Sequence, residues 1–173
     1  LQGDITTLAV DCIVNAANEN LMPGGGVCGA IHHAAGQELA LECKRIGHCG
    51  VGEARITKGY HLKAEHVIHT VGPVWHGGEH GEDQYLFNCY KKSLLLATHH
   101  SIETIAFPNV STGIFGYPKE LAAQIAIAAV KQHQNSGRSL KEVTFCCFDD
   151  DNYQIYNKQK EKNDRERTTS RGC

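Results

Sequence analysis

The stretch Val14-Asn15-Ala16-Ala17-Asn18-Glu19-Asn20-Leu21-Met22-Pro23-Gly24-Gly25-Gly26-Val27-Cys28-Gly29 decides how the rest of the chain is read. The apolar run Cys12-Ile13-Val14 ends in an asparagine, a glycine run follows, and a helical period takes over from Ala30. That succession is a buried strand, a small-residue loop and a helix N-terminus. Such a loop presents backbone N–H groups, and the helix adds its own unpaired N–H groups and the positive end of its dipole. From Asn15 to His33 there is no Lys or Arg, and Glu19 is acidic. A phosphate bound here would therefore be held without side-chain cations. A second loop of this kind, Ser111-Thr112-Gly113-Ile114-Phe115-Gly116-Tyr117, follows a later apolar run. Two glycine-bearing helix N-termini meeting at one crevice would suit a diphosphate.

Outward from these loops the pattern alternates. Residues 30–46 read as a helix with Ile31, Ala34, Ala35, Leu39 and Cys43 inward and Lys44-Arg45 near its end. Residues 53–59 and 66–71 read as strands, the second stopped by Gly72-Pro73. Residues 82–100 read as a helix with a stripe of Leu86, Cys89, Tyr90, Leu94 and Ala97. A strand over 104–110 precedes the second loop. Pro118 suits the first turn of a helix to about 135, with Leu121, Ile125, Ala128 and Ala129 inward. A nearly all-apolar strand over 143–148 and a short helix from about 152 close the pattern. Alternating strands and helices with continuous apolar strands predict an α/β fold, its mostly parallel sheet covered on both faces. In such sheets ligands bind beyond the carboxyl ends of the strands. Both glycine loops and Phe148-Asp149-Asp150-Asp151-Asn152 lie at such ends.

Composition narrows the function classes. The chain has 173 residues, enough for one domain, and 41% of them are hydrophobic, enough for a full core. Lys plus Arg total 17 against 19 Asp plus Glu. That balance disfavours long nucleic acid and anionic membrane as partners and leaves phosphate recognition local and geometric. The eight cysteines include no C-x-x-C, and Cys12 and Cys146 lie in apolar runs. They read as small hydrophobes in a reduced, intracellular, cytoplasmic protein, nuclear if the source is eukaryotic. No signal peptide or transmembrane run is seen. Residues 157–173 carry no large apolar side chain and alternate in charge. They read as a solvated helix extension or a disordered tail appended to a domain over 1–156.

Asn15 and Asn18 follow an apolar strand, where an amide is tolerated when it is hydrogen-bonded. They can cap the loop, bond a sugar hydroxyl, or both. Gly24, Gly26 and Gly29 match G-x-G-x-x-G in form. That dinucleotide fingerprint directly follows a strand, however, and here nine residues lie between Val14 and Gly24. No G-x-x-x-x-G-K-[ST] occurs, which argues against a nucleotide triphosphatase.

The run Gly3-Asp4-Ile5-Thr6, the VNAAN segment, the GGGV loop, the GAIHHAAG helix start, HTVGP and STGIFGYP, in unbroken order over roughly residues 2–156, resembles the macro domain family, in particular its MacroD-type branch. The resemblance implies a three-layer α/β/α sandwich that binds ADP-ribose without a cofactor or metal, with the family's usual first strand lying before Leu1. It also implies roles. Asp4 would accept from the adenine amino group, with Ile5 alongside and Phe148 lining the adenine face. The amides of Gly24, Gly25, Gly26 and Val27 and those of Ser111, Thr112, Gly113, Ile114 and Phe115 would cradle the diphosphate. Asn18 would hold the distal ribose with Asn15 as a further ligand-binding residue, and Phe115 would pack against the sugar. MacroD-type members hydrolyse mono-ADP-ribose from acidic side chains and deacetylate O-acetyl-ADP-ribose, so the implied partners are those ligands and mono-ADP-ribosylated proteins, bound by a monomer.

In that branch an Asp follows the GGGV segment and orients the attacking water, whereas this chain has Cys28. Three readings stay open. Water is activated by the substrate's own phosphate oxygen; or the site is a reader that binds without hydrolysing; or a Cys28 thiolate acts directly. Some viral macro domains that are hydrolases carry Cys at the matching position. Asn18 and Cys28 are thus the candidate catalytic residues. His32 and His33 open the first helix and either contact the ligand or are structural. His76, Glu79, His80, Glu82 and Asp83 have superficial metal-ligand chemistry, but their glycine-rich context reads as a solvated loop.

Overall fold

Runs such as Cys12-Ile13-Val14 and Val67-Ile68 offer no hydrophilic face, so they are stable only inside a sheet covered on both sides. The computed structural model, which describes residues 1–138 and 140–170, joins them in one five-stranded sheet. Its strands are β1 (Cys12–Ala16), β2 (Ala54–Lys58), β3 (His66–Thr70), β4 (Thr104–Phe107) and β5 (Glu142–Phe145), in the order β2-β3-β1-β4-β5. β1 runs parallel to β3 and β4, β4 runs parallel to β5, and only β2 is antiparallel to its neighbour. The sheet is mixed and mostly parallel, as expected.

Helices α1 (Gly26–Ala35) and α2 (Gln37–Ile46) cover one face, where Ile31, Ala35, Leu39 and Cys43 close over Ile13, Val67 and Ala106. Helices α3 (Glu82–His99) and α4 (Lys119–Asn135) cover the other, where Leu86, Tyr90, Leu94 and Ala126 close over Val14, Ile68 and Phe107. The result is the three-layer α/β/α sandwich. Each fully buried leucine or isoleucine contributes about 1.5–3 kcal/mol by leaving water. Among the described residues no helix is long and apolar enough to cross a membrane. The seven described cysteines are all free and buried.

Five local expectations differ from the structure. The helix expected over 30–46 is two helices, and the first starts at Gly26. Gly36 breaks it at φ 90°, a left-handed conformation that favours glycine. The His61 backbone N–H donates to Ala35 O, and the His61 ring fills the space where a Cβ on Gly36 would lie. The inward face of α4 is also rotated from the expected one. Ala122, Ala123, Ala126, Ala129, Val130 and His133 are buried, while Leu121 is 44% exposed. A row of alanines lets α4 approach α3 closely.

Two strands are shorter than expected. β4 ends at Phe107 because Pro108 has no N–H to donate to a ladder. β5 ends at Phe145, after which Cys147 exchanges backbone bonds with Leu1 and Gly3, so Phe148 lies outside the sheet. Lastly, the closing helix is not short. α5 runs from Asp150 to Ser170, packs Tyr156 on Phe145, and carries the charged segment as a solvated extension. Positions 171–173 of that segment lie outside the described residues.

Candidate ligand-binding site

Parallel strands send the loops after β1, β3, β4 and β5 to the same end of the sheet. There they enclose a cleft of about 340 Å³. Asp4, Ile5, Gly26, Val27, Thr112, Gly113 and Phe148, all expected at a site, line it. So do Gly3, Ala30, Pro108, Asn109, Cys146, Asp149 and Asn152, of which the strand-end tract in the sequence points only to Asp149 and Asn152. Only the folded chain brings Asn109 and Cys146 to the same cleft. No Lys or Arg among the described residues lines the cleft.

One wall is the N-terminus of α1. Its N-cap is Gly25, and the first helical backbone bond runs from Gly29 N to Gly25 O. The N–H groups of Gly26, Val27 and Cys28 therefore have no acceptor among the described residues, as the first turn of any helix requires. Gly26 adopts φ 56°, which turns the chain into the helix. The facing wall is the second loop. There Tyr117 N bonds Ser111 O and Gly116 N bonds Gly113 O, closing a compact turn. The N–H groups of Gly113, Ile114 and Phe115 are left without acceptors among the described residues. Ile114 is fully exposed, Phe115 is half-buried and Ser111 is buried with φ 66°.

At one end of the cleft, Asp4 caps the short 3-10 turn Ile5–Thr7, its Oδ1 accepting from Thr6 N at 2.9 Å and Thr6 Oγ1 at 2.7 Å. Its Oδ2 has no partner among the described residues, so the cap leaves one oxygen free. Ile5 is buried beside it. Phe148 is 83% exposed, which replaces the core-packing alternative: the ring stands at the rim of the cleft. Asp149 holds α5 in place by accepting from Asn152 N and Asn152 Nδ2. These hydrogen bonds outweigh the opposing effect of burial and, with Lys119 nearby, keep its carboxyl below the ordinary range.

Beside the cleft, and not among its lining residues, Asn18, Gly24 and Cys28 converge. The Asn18 carboxamide closes its own loop, with Nδ2 donating to Met22 O at 2.8 Å and Oδ1 accepting from Met22 N at 3.0 Å. Cys28 is buried, and its thiol donates to the same Met22 carbonyl at 3.6 Å. A Cβ built on Gly24 would lie 3.6 Å from Asn18 Nδ2 and 3.9 Å from Cys28 Sγ. Asn15 is fully buried on β1 and does not line the cleft; its Nδ2 points at His69. His32 is also buried and faces His69, with burial pushing it below the ordinary imidazole range, while His33 is exposed.

The loop read as solvated has a buried anchor. Glu82, the first residue of α3, is 2% exposed and accepts from the backbone N–H groups of His76, Gly78 and His80. Among the described residues no group of three His, Cys, Asp or Glu is placed to hold a metal ion. Burial tends to raise the Glu82 carboxyl, but the three N–H donors prevail and hold it at about 2. A depressed carboxyl stabilises the fold above its unfolded value of 4.5, and that contribution disappears as pH falls towards 2. Glu82→Gln should lower the urea midpoint at pH 7 and flatten its fall between pH 4.5 and 2; an unchanged acid limb would remove Glu82 as its cause. The anchored loop matters to the site because Trp75 N donates to Phe115 O and the Trp75 ring packs on Tyr117.

The chain matches the family model described as the macro domain over residues 14–126. It is 56% identical to a macro domain-containing protein of Chlorobaculum tepidum over 158 residues, covering 91% of this chain and 92% of that one. It is 50% identical to a protein of Escherichia fergusonii named O-acetyl-ADP-ribose deacetylase over 162 residues, again covering 91% of this chain and 92% of the other. The solved structure of the Oceanobacillus iheyensis macrodomain with ADP superposes at a TM-score of 0.89 and 38% identity, covering 95% of this chain and 90% of that one. With its mixed sheet, its two glycine loops and these relatives, the chain belongs to the macro domain family.

Proposed function

We propose that the cleft binds ADP-ribose and that the protein hydrolyses esters of its distal ribose, removing mono-ADP-ribose from acidic side chains and acetate from O-acetyl-ADP-ribose. The observation that carries this reading is the pair of facing N–H arrays, Gly26 to Cys28 and Gly113 to Phe115, beside a cleft that no described Lys or Arg lines. Fixed N–H dipoles can bind a diphosphate with little reorganisation, and the helix dipole of α1 adds to them. The ADP of the Oceanobacillus structure and the name of the Escherichia relative support the same ligand class.

In this arrangement the free oxygen of Asp4 accepts from the adenine amino group, and Phe148 stacks on the base. Ile5 packs beside the base, Gly24 to Val27 and Ser111 to Phe115 hold the diphosphate, and Asn18 bonds the distal ribose with Phe115 against the sugar. Hydrolysis needs a water placed at the ester and an acceptor for its proton. Cys28 donates its S–H to Met22 O, so in this geometry the substrate's own phosphate oxygen is the nearer chemical choice of acceptor. The same observation favours a second reading, a binding module without turnover. Incubation with O-acetyl-ADP-ribose separates them: acetate release above the buffer rate is expected, and tight ADP-ribose binding with no release would establish the module.

Phe148→Ala should weaken ADP-ribose binding by roughly five- to tenfold, the scale of one base–aromatic stack. Because the ring is exposed, the melting temperature should not move. Titration calorimetry and a thermal melt on the same sample check both halves.

A further inference from the structure

A buried hydrogen-bond chain links the sheet to Cys28 and Asn18, which stand beside the cleft and not among its lining residues. His69 on β3 is fully buried, and its register partner on β1 is Asn15. His69 Nε2 lies 2.9 Å from Thr57 Oγ1, and Nδ1 lies 3.1 Å from Asn15 Nδ2. The directions follow from chemistry. Thr57 Oγ1 donates to Lys58 O, so it accepts from His69 Nε2–H. Nδ1 is then an unprotonated acceptor for the Asn15 amide. Burial, and then neighbouring His32, push His69 down to about 3, so the ring is neutral. Asn15 Nδ2 also faces Cys28 Sγ at 3.7 Å, and Cys28 in turn donates to the Met22 carbonyl that holds Asn18. Asn15 Oδ1 is buried without a partner among the described residues. The amide is therefore oriented by what its nitrogen reaches.

Resting on the hydrolytic reading above, we propose that His69 is a positioning residue for that chemistry: as its Nε2–H tautomer it fixes the Asn15 amide, and through Asn15 it sets the Cys28 thiol and the Met22 carbonyl that holds Asn18. His69 does not line the cleft and reaches Cys28 and Asn18 only through Asn15, so its effect should fall on turnover more than on affinity. Misplacing a reacting group by about 1 Å can lower a rate about 100-fold.

The test uses the whole chain and two variants. His69→Gln retains a polar group near the Nε2 position and removes the acceptor at Nδ1, whereas His69→Asn places a carbonyl oxygen near Nδ1. The expected result for His69→Gln is a fall in kcat on O-acetyl-ADP-ribose of roughly ten- to a hundredfold, with the Kd for ADP-ribose within twofold. His69→Asn should recover most of the rate. Wild-type kcat in His69→Gln, or equal losses of rate and affinity, would overturn the proposal. Nitrogen-15 NMR of the wild-type imidazoles gives a readout that does not depend on variants folding. One His ring should be protonated at Nε2 only and stay so from pH 5 to 8; a His69 ring protonated at Nδ1, or one that titrates in that range, overturns the assignment. A wild type that does not turn over would defeat the hydrolytic reading, and the proposal would then be judged on Cys28 alone. Iodoacetamide labelling of Cys28, mapped by mass spectrometry, should be several-fold faster in His69→Gln than in the wild type; an unchanged rate would refute the link.

Discussion

Gly29→Ala should weaken ADP-ribose binding about 10- to 100-fold and lower the melting temperature with it. A Cβ at this position would lie 2.3 Å from the carbonyl oxygen of Gly24 and 3.4 Å from its carbon. The obstacle is backbone, so no side chain can rotate out of the way; either the loop or the first turn of α1 must move. Both carry N–H groups of the proposed diphosphate cradle. A hydrogen bond to a charged group contributes about 1.5–3 kcal/mol, and each 1.4 kcal/mol is tenfold in affinity, so misaligning one or two donors gives the stated loss. Gly50→Ala is the matched control, because its Cβ would meet only Glu53 Cγ at an ordinary 3.5 Å. Titration calorimetry with ADP-ribose decides the matter. Equal affinities in the two variants would mean that the loop crossing Gly29 takes no part in binding.

Cys28→Asp should raise kcat on O-acetyl-ADP-ribose by on the order of 100-fold, the scale of a positioned general base. The site can receive the carboxylate. Asn15 Nδ2 already faces Sγ and would donate to it, and the helix N-terminus at Gly26 favours a negative charge nearby. The Met22 carbonyl opposes it, since it would lose the thiol donor and face an acceptor, although it keeps its bond from Asn18 Nδ2. The expected outcome is a higher kcat with a modestly weaker Kd, because a second negative charge would lie close to the diphosphate. An unchanged kcat would show that the substrate's own phosphate oxygen already accepts the proton. No turnover in either protein would favour the binding module.

The outcome at Cys28 cannot be read from its residue type alone. The Asp-to-Cys departure from the MacroD pattern is visible in the sequence, and it opens three readings. What the thiol does depends on Met22 and Asn15, respectively six residues before it along the chain and on a neighbouring strand. Only the folded chain places those atoms.

The same division runs through the whole molecule. The sequence by itself determined the α/β class, the mostly parallel sheet, the inward stripe of α3 and the two uncharged glycine loops at strand ends, because those features are written in local periodicity, in continuous apolar runs and in residues with special backbone freedom. It also pointed to Asp4, Gly26, Val27, Thr112, Gly113 and Phe148, which line one cleft. Tertiary structure alone decided the rest. The break at Gly36 depends on His61 packing over it, and the inward face of α4 depends on how close alanines let it come to α3. Asn15 is drawn into the core by His69, and Glu82 is buried by N–H groups that a folded loop brings together. Each of these is a contact between residues distant in the chain or within an irregular loop, and no local periodicity records such a contact.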